Sequence, residues 1–284
     1  FDVVGSASIE RLSVESNYAG TGNIDLNTAL EMNGGNFDAS AAVVTLKSTA
    51  TGTAYLDDFS LIGGTYIGNI TVERFVTAGV GLGQRFLGSA VSGSSATGLD
   101  MTYASGFPQG AYVTPDVCNV SLLAGSAYSN LFQYEQANVS PGDCDQIGWF
   151  AMNPSATLVA GRGYSAWVND ASIVSVTGAP NTGNINFTTS GASGSGVVAA
   201  DGWHLLSNPY PSGISVDAYL NDGFTSPQTY SAGGPYNGSF NSVVLAGGEL
   251  ASMQGFYAEF TPPTATDAIV SVGNSDRIAS SATQ

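Results

Sequence analysis

Two related stretches of this chain indicate how its fold is built: QRFLGSAVSG at residues 84–93 and WHLLSNPYPSG at residues 203–213. Each is followed later by a second matching phrase, GRGYSAWV at residues 161–168 and MQGFYAEF at residues 253–260. Phrases that recur in one order indicate a duplicated supersecondary unit. Because a unit repeated for its packing is more often scaffold than catalyst, the repeat predicts a structural role.

The two copies also match in their middles. The stretch NLFQYE at residues 130–135 precedes the first glycine-aromatic phrase, and SPQTYS at residues 226–231 precedes the second. Both stretches are typical of short aromatic strands. The first copy is longer between its two phrases, so we interpret the cysteine-containing stretch, residues 114–145, as an insertion in that copy.

The composition favours an all-β protein. Hydrophobic residues make up 43% of the 284 residues, which is enough for a sizeable core. Short β-branched and aromatic runs alternate with Gly, Ser, Asn and Pro, and no long stretch keeps the 3.6-residue apolar period of a helix. We therefore expect an antiparallel, jelly-roll-like β-sandwich that is internally duplicated.

Four regions follow from the repeat and from shifts in composition. Residues 1–68 are a Gly- and Thr-rich β region, which forms either β-solenoid-like rungs or the edge of a sandwich. Residues 69–178 hold the first half of the duplicated sandwich with its cysteine-containing insertion, and residues 179–277 hold the second half. Residues 278–284 form a polar tail, of the kind that is usually frayed.

The charge balance excludes several classes of partner. The chain carries 22 acidic residues against 6 basic ones, a net charge of -16. Because there is no basic patch to release counterions from a phosphate backbone, we expect no nucleic-acid partner. No apolar run reaches 18 residues, so we expect no membrane span. Calcium is the inorganic partner that such an acidic chain favours, and we expect no other cofactor.

The two cysteines, Cys118 and Cys144, favour a disulfide, because an even pair in a secreted-type chain commonly forms a bridge. Closing a loop of that span would contribute about 3 kcal/mol. The alternative is a pair of free thiols. Asp116, Asp143 and Asp145 lie near the cysteines in sequence and offer hard oxygen ligands for calcium, whereas the alternative there is a solvated acidic loop.

The sequence shows no recognisable catalytic constellation, and we predict that the chain is not an enzyme. His204 is the single histidine, and it alternates with Trp203 and Leu205 in a pattern typical of a histidine packed in a strand. Glycoside hydrolysis stays open as an alternative, because it needs only two facing carboxylates and facing pairs are not visible in a sequence.

Four tyrosines are candidate contacts for a ligand or a partner protein. Exposed tyrosine rings can stack on sugar rings, although tyrosine is equally the usual filler of a half-buried β surface. The four candidates lie in or near the middle stretches and the loops beside them: Tyr128, Tyr134, Tyr230 and Tyr236.

Four stretches resemble a recurrent module of very large surface proteins that Bacteroidota export through the type IX secretion system. They are GTYIGNITVERFV at residues 64–76, GRGYSAWV at 161–168, TGAPNTGN at 177–184 and GWHLLSNPYPS at 202–212. The likeness runs from about residue 40 to residue 277. The cysteine insertion departs from the pattern. No C-terminal sorting domain is recognisable either, so we expect an internal or processed portion of a longer protein.

The resemblance implies an extracellular, cell-surface location, a β-sandwich scaffold and a role in adhesion or in building a surface structure. We therefore expect a non-enzymatic structural or adhesive segment of a large bacterial surface protein, as part of a fibre, hook, filament or other appendage. Its partners would be other protein chains or copies of itself, in a homo-oligomer or a larger assembly, and surface glycans. The alternative is a carbohydrate-binding accessory module of a secreted hydrolase.

Overall fold

The computed structural model describes residues 5–60, 62–77, 83–99, 131–139, 147–152, 155–168, 171–189, 202–234, 237–242, 248–260 and 268–280. Strands dominate these residues, in several antiparallel sheets and one mixed sheet, which confirms the expected all-β class. The described part of the chain holds one short α-helix, α1 (Asp217–Asn221).

The strands are β1 (Ser6–Val14), β2 (Tyr18–Met32), β3 (Phe37–Leu46), β4 (Ser48–Thr49), β5 (Gly52–Thr53), β6 (Tyr55–Asp57), β7 (Tyr66–Ile67), β8 (Ile70–Val76), β9 (Gly83–Leu87), β10 (Val91–Ser92), β11 (Leu131–Val139), β12 (Ile147–Ala151), β13 (Tyr164–Val168), β14 (Ser172–Pro180), β15 (Ile185–Thr189), β16 (Trp203–Ser207), β17 (Gly213–Ser215), β18 (Phe224–Gly234), β19 (Asn237–Ser242), β20 (Glu249–Leu250), β21 (Gly255–Phe260), β22 (Ala268–Val272) and β23 (Arg277–Ile278).

The largest sheet is mixed, with eight strands in the order β1-β2-β3-β8-β14-β10 and with β6 beside β2 and β7 beside β3. The strands β1, β2, β3 and β8 pair in parallel, so the antiparallel pairing that the sandwich alternative predicts does not hold here. The reason is that the chain winds on in one direction: Ser6 pairs with Asn23, and Asn23 pairs with Val43 one coil later. The pairing of β3 with β8 joins residues on either side of position 68 in one sheet.

The parallel stack, which we define as β1, β2, β3 and β8, places like side chains above one another. Leu26, Leu46 and Val72 are neighbours in register, and all three are fully buried. On the exposed face the Asn23 Nδ2 donates to the Ser6 Oγ at 3.3 Å. An apolar column inside and polar contacts outside are what the alternation of side chains along a strand produces.

Two four-stranded antiparallel sheets hold the repeated phrases. The first has the order β12-β11-β13-β9 and the second has the order β19-β18-β21-β16. If the strands of each sheet are counted along the chain, both orders are third, second, fourth, first. Leu87 pairs with Tyr164 in the first sheet, and Leu206 pairs with Phe256 at the matching position in the second. The two sheets therefore share their strand order and this register.

The two sheets meet where the phrases place glycine. Gly163 in the first sheet lies so close to the second that a Cβ there would come within 2.5 Å of the Leu206 carbonyl oxygen. At the matching position in the second sheet, a Cβ on Gly255 would come within 2.6 Å of the Phe86 carbonyl carbon. Both glycines are required because another backbone approaches where a side chain would begin.

Smaller elements complete the fold around two large apolar clusters. The first cluster joins the parallel stack to the first four-stranded sheet, and the second lies against the second four-stranded sheet. β15 pairs with β22, β4 pairs with β5, and β17 lies between β20 and β23 in a three-stranded sheet.

A buried arginine joins the end of the described chain to its first part. The Arg277 guanidinium forms an ion pair with Asp58 and donates to the Leu56 carbonyl at 2.8 Å. It also lies 4.2 Å from the centre of the Phe59 ring and 4.9 Å from that of Tyr210. We call this set of contacts the Arg277 clamp. Burial lowers the pKa of Arg277, whereas the nearby Asp58 carboxylate acts to raise it.

Candidate functional site

The two four-stranded sheets face each other across a cleft of about 340 Å³, which we call the aromatic cleft. Eight described side chains line it, of which six carry aromatic rings and two are glutamines. They are Gln84, Phe86, Tyr134, Trp149, Trp203, Gln228, Phe240 and Tyr257. The volume lies in the range of about 300–1,000 Å³ that is usual for small-molecule sites.

Strand alternation explains why these side chains share one space. Gln84 and Phe86 are two residues apart on β9, so they point to the same face of the sheet while Arg85 points to the other. On β16 the same alternation puts Trp203 and Leu205 on one face and His204 on the other. The repeated phrases thus supply one wall each.

Tyr257 lies at the centre of the ring cluster. Its ring centroid is 5.2 Å from that of Phe86, 5.5 Å from Tyr134 and 5.8 Å from Phe240, each in edge-to-face geometry. Phe86 and Tyr257 are 3% and 8% exposed, whereas Phe240 is 52% exposed. The cleft therefore has a buried aromatic floor and an exposed aromatic rim.

Each sheet contributes an equivalent aromatic pair to this cluster. Tyr134 on β11 pairs in register with Trp149 on β12, and their ring centroids are 5.1 Å apart. Tyr230 on β18 pairs in register with Phe240 on β19, and their centroids are 5.2 Å apart. The cleft is thus built from matching positions of two sheets with one topology.

His204 lies behind the aromatic cleft, in a cavity of about 20 Å³ beside the ion pair between Arg162 and Glu135. The ring is 5.8 Å from Phe224, and its Nε2 has no hydrogen-bond partner among the described residues. Burial, with a smaller contribution from the Arg162 charge, lowers the pKa of His204 from 6.5 to about 4. The imidazole is therefore neutral at pH 7, in a setting typical of a packed histidine.

The structure brings two of the four candidate tyrosines together. Tyr134 lines the aromatic cleft, and Tyr230 packs against Phe86 at 5.4 Å between centroids. Their role in binding stays a prediction. The other predicted site residues lie outside the described residues: Tyr128, Tyr236, Cys118, Cys144, Asp116, Asp143 and Asp145. Within the described ranges, no three residues of the His, Cys, Asp and Glu types cluster as a metal site would require.

Sequence reasoning missed most of the cleft. Trp149, Trp203, Phe240 and Tyr257 each belong to a quoted phrase or to the strand beside one, but none was selected. The signal that could have found Trp203 is its place in the repeat: Trp203 matches Gln84, and both residues line the cleft. The other rings become neighbours only through sheet packing, which a one-dimensional pattern does not contain.

No helix in the described ranges has both the length and the apolar character needed to cross a membrane. The chain matches no protein-family model, no curated protein and no solved structure.

Proposed function

We propose that this chain is a non-enzymatic, extracellular structural and adhesive segment of a large bacterial surface protein. It would belong to a fibre, hook or other appendage of the type IX-secreted kind. In this proposal the two four-stranded sheets are the halves of an internally duplicated β-sandwich, and the parallel stack is a solenoid-like region joined to it. The partners are other chains or further copies of this chain.

The shared strand order supports a scaffold. The two sheets keep equivalent registers while their side chains differ, which is what a unit repeated for its packing requires. His204 agrees with this reading, because a neutral buried imidazole against Phe224 acts as core.

The observation that carries the proposal is the edge of the parallel stack. β1 is nine residues long and pairs with β2 on one side, and among the described residues it has no strand on the other. An edge strand of that length is a template for pairing with another chain. Such a stack can add further rungs without changing the fold of the rungs already present.

The backbone geometry shows how to block this edge selectively. The Asn23 N–H donates to the Gly5 carbonyl at 2.9 Å. In a parallel strand, both backbone groups of one residue point to one side and those of the next residue point to the other side. Since those of Gly5 face β2, the N–H and C=O groups of Ser6 and Ser8 point away from β2. Ser8→Pro therefore removes a donor from the free edge and keeps the bonds to β2.

Sedimentation velocity over a range of protein concentrations tests the proposal. We expect the unaltered chain to self-associate, and Ser8→Pro to shift that association to higher concentration. Ser8→Ala is the matched control, because it also removes the hydroxyl that accepts from Asn27 Nδ2 but keeps the N–H. A chain that stays monomeric throughout, or equal association by the two variants, would contradict pairing through this edge.

A second candidate function is favoured by the aromatic cleft. Rings at its rim and two carboxamides in its wall suit a carbohydrate-binding accessory module of a secreted hydrolase. This candidate differs from the first in its ligand and is compatible with the same scaffold.

A further inference from the structure

We infer that the aromatic cleft binds one neutral saccharide per chain, in a single site formed jointly by the two four-stranded sheets. This inference rests on the second candidate function and specifies its ligand class, its location and its stoichiometry. It does not depend on the edge of the parallel stack.

The rim supplies stacking surfaces. The axial C–H groups of a pyranose ring form an apolar patch, which packs on the negative face of an aromatic ring. Phe240 is half exposed, and Trp149 and Trp203 are partly exposed, so their rings are open to a ligand. The buried Phe86 and Tyr257 beneath them fix the floor, so little ordering is needed when a ligand binds.

The polar lining selects for hydroxyl groups. Gln84 and Gln228 are partly exposed, and each carboxamide has two donors and one acceptor oxygen, which suits a hydroxyl that both donates and accepts. None of the described lining residues carries a formal charge. The net charge of -16 repels anionic sugars at long range, so a neutral saccharide is favoured over a uronate.

The ring geometry argues against a quaternary ammonium ligand. A cation cage surrounds its ligand with ring faces. Here the two floor rings, Tyr257 and Phe86, meet at an interplanar angle of 79°, so the edge of one packs on the face of the other and the floor does not present two ring faces to a ligand. The cleft also lacks a lining carboxylate among the described residues, which a cation would favour.

The matching of the two sheets fixes the stoichiometry. Trp149 of the first sheet and Phe240 of the second lie 6.2 and 5.8 Å from the same ring, Tyr257, between centroids. Equivalent strands thus converge on one space, although the sheet topology occurs twice in the chain. One ligand contacts both sheets, and we expect a ratio of one ligand to one chain.

The test is a titration with soluble neutral oligosaccharides built from glucose, mannose or galactose, followed by calorimetry and by tryptophan fluorescence. We expect saturable 1:1 binding of at least one of them, with a change in the emission of the lining tryptophans. Phe240→Ala should weaken that binding about tenfold, the loss expected for one stacking ring. Gln228→Leu should weaken it by a similar factor.

Tyr18→Ala is the matched control, because Tyr18 stacks on Phe37 at 5.3 Å in the parallel stack and is not a lining residue. The control should bind like the unaltered chain. Saccharide binding that is unchanged in Phe240→Ala and Gln228→Leu would overturn this site but keep the carbohydrate-binding function. Absence of saccharide binding would overturn both, as would binding of tetramethylammonium without saccharide. Two bound ligands per chain would overturn the joint site.

Discussion

The two four-stranded sheets share one topology but distribute side-chain volume in opposite ways. In the first, Phe86 on β9 pairs with Ser165 on β13; at the matching place in the second, Leu205 on β16 pairs with Tyr257 on β21. The aromatic residue lies on β9 in the first sheet and on β21 in the second, and the Phe86 and Tyr257 rings meet edge to face. The two sheets therefore keep the same backbone register but place their large side chains on different strands.

A second pair of matching positions differs in charge. Arg85 and His204 each lie opposite a buried alanine and are themselves buried. Arg85 has two backbone carbonyls as hydrogen-bond acceptors, those of Gln84 and Thr77. The His204 Nε2 has none among the described residues. The first sheet therefore tolerates its buried cation, whereas the second holds a group that stays neutral.

The largest expected effect comes from the Arg277 clamp, which ties the end of the described chain, after the second four-stranded sheet, to the first part of the chain around Asp58. Arg277→Met leaves Asp58 buried without its partner and should lower the free energy of unfolding by about 3–5 kcal/mol. Urea denaturation followed by fluorescence measures this. The exposed pair of Arg11 with Glu31 is the control, and Arg11→Met should change stability by less than about 1 kcal/mol. Equal losses in both variants would contradict the prediction that the buried ion pair stabilises the fold more than the exposed one.

Matched truncations test whether the two sheets are energetically equivalent. Leu87 and Leu206 occupy the same register position and are 0% and 1% exposed. Each change to alanine should lower the free energy of unfolding by about 2–5 kcal/mol, because a cavity remains in a close-packed core. We expect the two losses to agree within about 1 kcal/mol. A clear difference in urea midpoints at constant slope would break the equivalence.

The pH dependence of stability should differ between the two sheets, because His204 belongs to the second. Its pKa is about 4 in the fold and 6.5 when unperturbed, so between these values the unfolded chain binds a proton that the folded chain does not. This histidine therefore destabilises the fold progressively as the pH falls from about 6.5 to 4, by about 3 kcal/mol in total. His204→Leu should lose less stability than the unaltered chain between pH 7 and pH 4.5. Parallel losses in the two proteins would refute the assignment.

The smallest effect is expected at the rim of the aromatic cleft. Phe240 is 52% exposed, so Phe240→Ala should lower the free energy of unfolding by no more than about 1 kcal/mol. Phe86 is buried and contacts Phe240, so Phe86→Ala should lower the free energy of unfolding by about 3–5 kcal/mol. Thermal unfolding compares the two. A large loss in Phe240→Ala would mean that the rim belongs to the core.

The sequence predicted the all-β class. The phrases that begin at Gln84 and Trp203 form matching edge strands, and the glycines at 163 and 255 form matching close contacts. What the sequence did not contain was strand direction. Alternation along β2 looks the same whether its neighbour runs parallel or antiparallel, so the parallel stack was not distinguished from the edge of a sandwich.

The candidate site was predictable only in part. The sequence predicts Tyr134 and Tyr230 as candidate contacts because exposed tyrosine rings can stack on sugar rings, and both residues lie in the ring cluster. Phe240 lies in a stretch of small polar residues, NGSFNS, which gives no sign of an aromatic neighbourhood. Contact between its ring and that of Phe86 joins residues far apart in the chain, and only the packing of the sheets brings them together.

The Arg277 clamp also determines how the chain would carry a mechanical load. Arg277 contacts Asp58, which is 219 residues earlier in the sequence. Tension applied beyond Ile278 would reach the loop after β6 through the Arg277 guanidinium and would reach β17 through its pairing with β23, in parallel with the covalent path through both four-stranded sheets. The clamp and the pairing of β23 with β17 would therefore share the load with the intervening sheets for as long as both stay intact.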